Sequence, residues 1–185
     1  MLNKKGAIGL SINTLVVVII SLVILGGGMA FLYKLIGGAE DIKTQIDQKT
    51  DQQLESLLVD QGQQVALPLH VVTIERGDNH VFGIGILNIN PDLDAFNIEV
   101  SLSKLLDVNG KEISLTNSEK SVIVEESVLY NQELLTIKES EHHKDGILVS
   151  IPTDKPVGTY IFNAKIIDSN SDQYGNTQKF KVIAK

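Results

Sequence analysis

The sequence predicts an α+β layout, in which a long N-terminal α-helix is followed by an all-β sandwich of about seven strands. Two observations lead to this prediction. Residues 6–33 contain no ionisable side chain before the phenol of Tyr33. From Val65 onward, short runs rich in Val, Ile, Phe and Tyr alternate with turn residues. The 185 residues suffice for one domain and an anchor.

The N-terminal apolar run is long enough to cross a membrane. It comprises 28 residues, whereas about 20 apolar residues span a bilayer as a helix. A secretory hydrophobic region is usually only about 7 to 15 residues long. Residues 26–30 could mimic an ordinary cleavage site, but residues 31–33 continue the apolar character beyond it. We therefore expect a transmembrane or assembly helix over residues 7–36, with Lys4 and Lys5 on the cytoplasmic side and the rest of the chain outside.

The next segment, residues 37–62, is predicted to form a polar stalk helix. It contains no proline, and its apolar residues recur near the helical period. The apolar pattern lapses around residues 49–53, which argues against a continuous coiled coil. We expect Leu54, Leu57 and Leu58 to pack on the domain that follows.

The remainder, residues 63–185, is predicted to be a two-sheet sandwich. In residues 159–168, Tyr160, Phe162, Ala164 and Ile166 fall on one face of a strand. Phe180, Val182 and Ala184 do so in the last strand, and the run SVIVEESVLY, residues 121–130, is counted as another strand. Strands with one apolar face pair into sheets that bury this face against each other.

Composition excludes several function classes. The net charge is −7, and residues 35–185 carry 13 basic and 23 acidic side chains. A domain this acidic is repelled by phosphates, so we expect no nucleic-acid partner. The absence of cysteine excludes disulfides and thiolate sites. Without tryptophan and with 5% aromatic residues, an aromatic-lined ligand cleft is not expected.

Two polar segments share features with metal sites, but neither is predicted to be one. His142 and His143 lie among acidic residues, but adjacent residues on a strand point to opposite faces. Residues 168–176 share the oxygen spacing of calcium loops at Asp168, Asn170 and Asp172. The glycine and the glutamate that such loops require are replaced by Gln173 and Lys179, so we expect a polar hairpin loop.

No catalytic motif occurs in the sequence. The nucleophile-elbow, zinc-protease, phosphate-binding and dinucleotide-binding patterns are all missing. We therefore expect no enzyme activity, no cofactor and no metal.

The C-terminal residues 158–180 resemble the last hairpin of immunoglobulin-like and fibronectin-like domains. Gly158-Thr159-Tyr160 is similar to the start of a tyrosine corner, in which the phenol bonds to the upstream backbone. This resemblance implies an immunoglobulin-like sandwich and a structural role for Tyr160.

The N-terminus resembles the class III signal peptide of archaeal type IV pilin-like proteins, and most closely that of archaellins. The resemblance rests on Lys4, Lys5 and Gly6, followed by Ala7-Ile8-Gly9-Leu10 and an unbroken apolar run. It implies that a prepilin-type signal peptidase cuts between Gly6 and Ala7, which removes residues 1–6 and keeps the hydrophobic segment. Ser11 occupies the position at which many pilins have a glutamate, and there is no N-glycosylation sequon.

The resemblance implies a structural cell-surface protein that assembles through its hydrophobic segment with copies of itself or with other pilin-like subunits. Small residues permit close approach of helices there, namely Gly9, Ser11, Gly26, Gly27 and Gly28. Asn13 could bond across helices, although Ser11 and Asn13 could equally lie at the cytoplasmic interface.

The alternative is a membrane-tethered immunoglobulin-like ectodomain that forms no filament. Such a protein would serve adhesion, cell-envelope binding or an accessory role in the archaellum. Either function places the chain in the cell membrane with its C-terminal domain outside, and a filament subunit would also occur in a surface filament.

Overall fold

The computed structural model describes residues 48–185. The predicted signal peptide (1–6), the predicted transmembrane or assembly helix (7–36) and residues 37–47 of the predicted stalk lie outside these residues.

The described residues form two helices and ten strands. Helix α1 (Gln48–Glu55) continues into a π-helical turn (Ser56–Asp60), and helix α2 is Asn117–Ser127. The strands are β1 (Val65–Ala66), β2 (Val71–Ile74), β3 (Asn79–Leu87), β4 (Ala95–Leu106), β5 (Glu112–Ile113), β6 (Val128–Tyr130), β7 (Leu135–Thr136), β8 (His142–Ser150), β9 (Gly158–Asp168) and β10 (Gln173–Ala184).

The strands are arranged in two sheets. The four-stranded sheet has the order β1-β3-β8-β6, and the six-stranded sheet has the order β2-β10-β9-β4-β5, with β7 paired to the start of β4. The pairings are antiparallel except for β2, which runs parallel to β10. The long strands β3 and β8 form the centre of one sheet, whereas β4, β9 and β10 form the centre of the other.

The hydrophobic core lies between the two sheets. Phe82 of β3 meets Phe180 of β10 with ring centroids 4.6 Å apart. The predicted inward faces are confirmed, because Tyr160, Phe162, Ala164, Ile166, Phe180, Val182 and Ala184 are all buried in this core. Each strand therefore places every second side chain between the sheets, as its alternating sequence indicates.

The predicted layout is wrong for the part of the chain that the structure describes. This part is mostly β-sheet, with ten strands where the sequence predicts about seven. The described part of helix α1 has 8 residues, and its π-helical extension has 5. The helical segment ends at Asp60, after which Gly62 adopts a φ of 65° and the chain turns into β1. No helix among residues 48–185 is long and apolar enough to span a membrane, so the transmembrane and pilin-like layout has no counterpart there.

Helix α2 is a second departure from the prediction. Residues 121–127 were predicted as part of a strand but belong to this helix, and only β6 retains the extended conformation. A capping box starts the helix: Thr116 Oγ1 accepts from the N–H of Glu119, and the Glu119 carboxylate accepts from the N–H of Thr116. Ile123 then anchors the helix in the core. The capping box precedes the apolar residues from which the strand is predicted, so the strand prediction does not take it into account.

Candidate functional site

Helix α1 is docked on the outer face of the four-stranded sheet. Leu54 and Leu58 are completely buried and form a small cluster of their own with Ala66, separate from the core between the sheets. They lie over Gly85 of β3, where a Cβ atom would come within 2.5 Å of Leu58 Cδ1 and 3.1 Å of Leu54 Cδ2. Gly85 therefore leaves a recess that receives the two leucines. The packing that the sequence predicts for Leu54, Leu57 and Leu58 is confirmed.

Charged groups complete this helix–sheet junction. Lys144 Nζ of β8 lies 2.5 Å from Glu55 Oε2 and 3.0 Å from Asp51 Oδ1. His142 Nε2 lies 3.3 Å from the same Glu55 oxygen. Burial opposes the charge on Lys144, but its hydrogen bonds to Glu55 and Asp51 raise its pKa above the ordinary value. The hydrogen bond from Lys144 in turn lowers the pKa of Glu55.

The ion pairs orient the helix more than they stabilise it. The carboxylate side chains of Asp51 and Glu55 remain about half exposed, at 54% and 49%, and water screens such pairs strongly. The apolar contact of Leu54 and Leu58 is therefore the main source of docking energy.

The two adjacent histidines lie on opposite faces of β8. His142 points outward to Glu55, whereas the Nε2 atom of His143 lies 3.6 Å from Oδ2 of the buried Asp145. Adjacent residues of a strand point to opposite faces, and the two histidines do so here. Within residues 48–185, no group of three or more His, Cys, Asp or Glu side chains is placed to hold a metal ion.

Asp145 is the centre of a small buried polar cluster. Its carboxylate accepts from the Asn131 amide at 3.2 Å and from the N–H of Gly146 at 2.8 Å. Burial opposes ionisation of Asp145, but His143 and these two donors together hold its pKa below the ordinary value. The cluster ties the loop after β6 to the middle of β8.

One end of the sandwich is strongly acidic. Loops 88–94, 131–141 and 168–172 converge there, because β7 pairs with the start of β4 and the start of β4 pairs with the end of β9. The three loops carry seven carboxylates and one ammonium group, that of Lys138. We call this surface the acidic end; its residues are Ile89, Asp92, Asp94, Glu133, Leu134, Lys138, Glu139, Glu141, Asp168 and Asp172. Ile89 and Leu134 are 53% and 66% exposed, so the acidic end also presents apolar side chains.

Two buried polar residues hold the loops of the acidic end together. The Asn88 amide donates to the carbonyl oxygens of Leu93 and Ile137 and accepts from the N–H of Asn90. The Tyr174 hydroxyl of the other sheet donates to the Leu87 carbonyl at 2.9 Å and accepts from the N–H of Ile89 at 3.0 Å. Buried hydrogen bonds thus connect the loops of the acidic end, which do not behave as independent segments.

In the calcium-like segment, residues 168–176, the carboxylate of Asp168 is engaged by backbone N–H groups of the same segment. Asp168 Oδ1 accepts from the N–H groups of Asn170 and Asp172 at 2.9 and 3.0 Å. The Asp168 N–H donates to the carbonyl oxygen of Asp172, which closes the turn between β9 and β10. The segment forms a polar hairpin loop, as its sequence indicates.

Tyr160 has the contact that defines a tyrosine corner. Its hydroxyl donates to the carbonyl oxygen of Pro156 at 2.7 Å, four residues upstream. Burial of the phenol raises the pKa of Tyr160 to about 12. The residue thus fixes the entry into β9 and stays protonated at physiological pH.

The other predicted site residues lie outside the described residues. They are the predicted processing residues Lys4, Lys5, Gly6 and Ala7 and the predicted assembly residues Gly9, Ser11, Asn13, Gly26, Gly27 and Gly28.

A cleft of about 630 Å³ lies between α2, β4 and β6. Its walls include Val100, Leu102 and Val124, and the Lys120 ammonium on its margin donates to the Ser103 carbonyl at 3.0 Å. Sequence reasoning missed this cleft, because it depends on the position of α2.

Sequence reasoning also missed the Gly85 recess. The only signal for it is the alternation of glycines 83 and 85 with large apolar residues in β3.

Comparisons with known proteins give no family. No protein-family model matches the chain, and no curated protein matches its sequence. A family 123 glycoside hydrolase from Clostridium perfringens is 16% identical with a TM-score of 0.42, covering 63% of this chain and 23% of the hydrolase. A PapD-like domain of human CEP192 is 12% identical with a TM-score of 0.39, covering 66% and 84% of the respective chains.

The periplasmic chaperone SfaE is 14% identical with a TM-score of 0.36, covering 65% of this chain and 56% of the chaperone. The chain thus spans less than a quarter of the hydrolase and just over half of the chaperone. Likeness at this level carries no argument about function. The resemblance to archaellins stays a prediction from the sequence.

Proposed function

We propose that this chain is a structural protein of the cell surface, processed after Gly6 and assembled through its hydrophobic N-terminal segment. The β-sandwich is its outer domain. This is the function that the resemblance of residues 4–10 to archaellins implies, and it requires neither a cofactor nor a catalytic group.

The docked helix α1 is the observation that supports the proposal best. A subunit that carries load must hold its outer domain firmly at the point where the chain leaves it. Leu54 and Leu58 in the Gly85 recess, together with the ion pairs of Lys144, hold the chain at the N-terminal side of the sandwich. A loosely tethered domain would need no such junction.

A second candidate is a tethered ectodomain that binds a partner without assembling. The acidic end favours it, because exposed apolar side chains among charged ones are typical of contact surfaces. Ile89 and Leu134 are such side chains.

The N-terminal residue of the mature chain distinguishes the two candidates. The protein is recovered from its native membrane fraction, and its intact mass and first residue are measured. We expect a chain that begins at Ala7. A chain that still begins at Met1 would favour the tethered ectodomain.

The substitution Gly6→Asp tests assembly in the same cells. It places a charged side chain at the cleavage site, so we expect unprocessed protein and no surface filaments in electron micrographs. Asn3→Asp is the matched control, because it adds the same charge but leaves Lys4, Lys5 and Gly6 unchanged. Filaments on cells that carry Gly6→Asp would overturn the proposal.

A further inference from the structure

The outer face of the six-stranded sheet is basic, although the domain is acidic. Residues 48–185 carry 12 basic and 20 acidic side chains, a net charge of −8. On the outer face, however, Lys165, Lys179 and Lys181 lie on the neighbouring strands β9 and β10, while the adjoining strand β4 places one carboxylate, that of Glu99, opposite Lys165. None of the three forms an ion pair with a described residue.

Apolar side chains lie between these lysines. In the strand register, Lys181 stands between Ile161 of β9 and Val71 of β2, and Ile183 is two residues further along β10. Val71 is 47% exposed, and Lys179 and Lys181 are exposed as well. We call this surface the basic face; its residues are Val71, Ile161, Lys165, Lys179, Lys181 and Ile183.

The acidic end has the complementary properties. It combines carboxylates with the exposed side chains of Ile89 and Leu134, whereas the basic face combines ammonium groups with Ile161, Ile183 and Val71. Opposite charges steer two such surfaces together, and the apolar side chains supply area that is removed from water on contact.

We propose that the acidic end of one copy of this chain docks on the basic face of a second copy. The two surfaces belong to different parts of the sandwich, one to its loops and the other to the broad side of a sheet. The contact is therefore heterologous, and repetition of such a contact produces a ring or a helical filament. This inference deepens the proposed function, on which it rests, because it names a contact between outer domains that would operate beside the N-terminal segment.

The partner is a second copy and not a phosphate-bearing surface, because the electrostatics favour it. Three lysines provide few of the phosphate contacts that hold a protein on an anionic surface, and the apolar side chains between them have no complement there. The acidic end presents both the opposite charge and the apolar groups that the basic face needs.

Two charge-reversed variants of the full-length chain test the contact. The face variant carries Lys179→Glu and Lys181→Glu; the end variant carries Glu133→Lys and Glu139→Lys. These positions are exposed, so both variants should fold. Sedimentation is measured in mild detergent at low ionic strength. We expect the self-association constant of each variant to fall at least about tenfold below that of the unaltered chain, and the unaltered chain to lose association in about 0.5 M salt.

Mixing the two variants gives the decisive result. The reversed face of one variant now complements the reversed end of the other, and the unaltered end of the first still complements the unaltered face of the second. An equimolar mixture should therefore associate again, with the two variants in a one-to-one ratio. The conservative variant Lys179→Arg with Lys181→Arg keeps the charge and should associate like the unaltered chain. An unaltered chain that stays monomeric, or a mixture that does not pair, would overturn the inference.

The inference and the proposed function can fail separately. Filaments that persist in cells expressing the face variant would overturn the contact and leave the proposed function intact. Pairing of the mixed variants in a chain that still begins at Met1 would support the contact and overturn the processing step.

Discussion

The strongest prediction concerns the docking of helix α1 through Leu58. This side chain is completely buried, and Leu58→Ala removes three carbon atoms, worth about 0.8 kcal/mol each. The cavity left behind adds to the loss, and measured Leu→Ala substitutions cost about 2 to 5 kcal/mol. Because the cluster around Leu58 is small and lies at the edge of the domain, partial collapse is easy. We expect the free energy of unfolding to fall by about 3 kcal/mol, a factor of about 100 in the folding equilibrium.

Urea unfolding followed by circular dichroism measures this loss. Val59→Ala is the matched control: it truncates the next residue, which is 53% exposed, and should change the free energy of unfolding by less than about 0.5 kcal/mol. A loss below about 1 kcal/mol for Leu58→Ala would show that the helix is not held in the Gly85 recess, and the support for a rigid junction would disappear.

Three further predictions concern buried polar groups. Tyr160→Phe removes the hydrogen bond to Pro156 and should lower the free energy of unfolding by about 1 kcal/mol in the same urea assay. Asn88→Ala leaves two buried carbonyl oxygens without a donor and should cost about 3 kcal/mol, which would also appear as faster protease cleavage of loops 88–94 and 131–141. The pKa of Asp145 is lowered in the folded state. The ionised carboxylate therefore adds to the free energy of unfolding above the unfolded pKa of about 4, and this contribution is lost as the pH falls through the folded pKa.

Controls make these predictions specific. Tyr130→Phe alters a phenol for which the structure shows no hydrogen bond among the described residues, and it should leave stability nearly unchanged. Asn109→Ala truncates an exposed amide and should not affect cleavage of the loops at the acidic end. For Asp145→Asn, the slope of stability against pH below about pH 4 should be shallower than that of the unaltered chain. An equal slope would show that Asp145 does not supply this dependence.

The sequence predicts the local pattern of the β-domain well. Alternation along residues 160–166 and 180–184 shows which side chains face the core, because a strand has a fixed period of two residues. The leucines of α1 are likewise recognisable as a packing face, because they recur at helical spacing. Turn residues give the approximate positions of the hairpins.

The sequence did not predict helix α2. Three consecutive apolar residues, Val122, Ile123 and Val124, are compatible with either a strand or a helix. The capping box at Thr116 and the burial of Ile123 in the core stabilise the helix over the strand.

By itself, the sequence determined the period of each strand, the acidic balance of the chain and the motif around Gly6. Only the tertiary structure decided which groups meet: Lys144 with Asp51 and Glu55, and the three loops of the acidic end with one another. The interacting residues at the junction are about 90 positions apart. Such contacts depend on how strands are ordered and stacked, and a local pattern of side chains carries no information about that order.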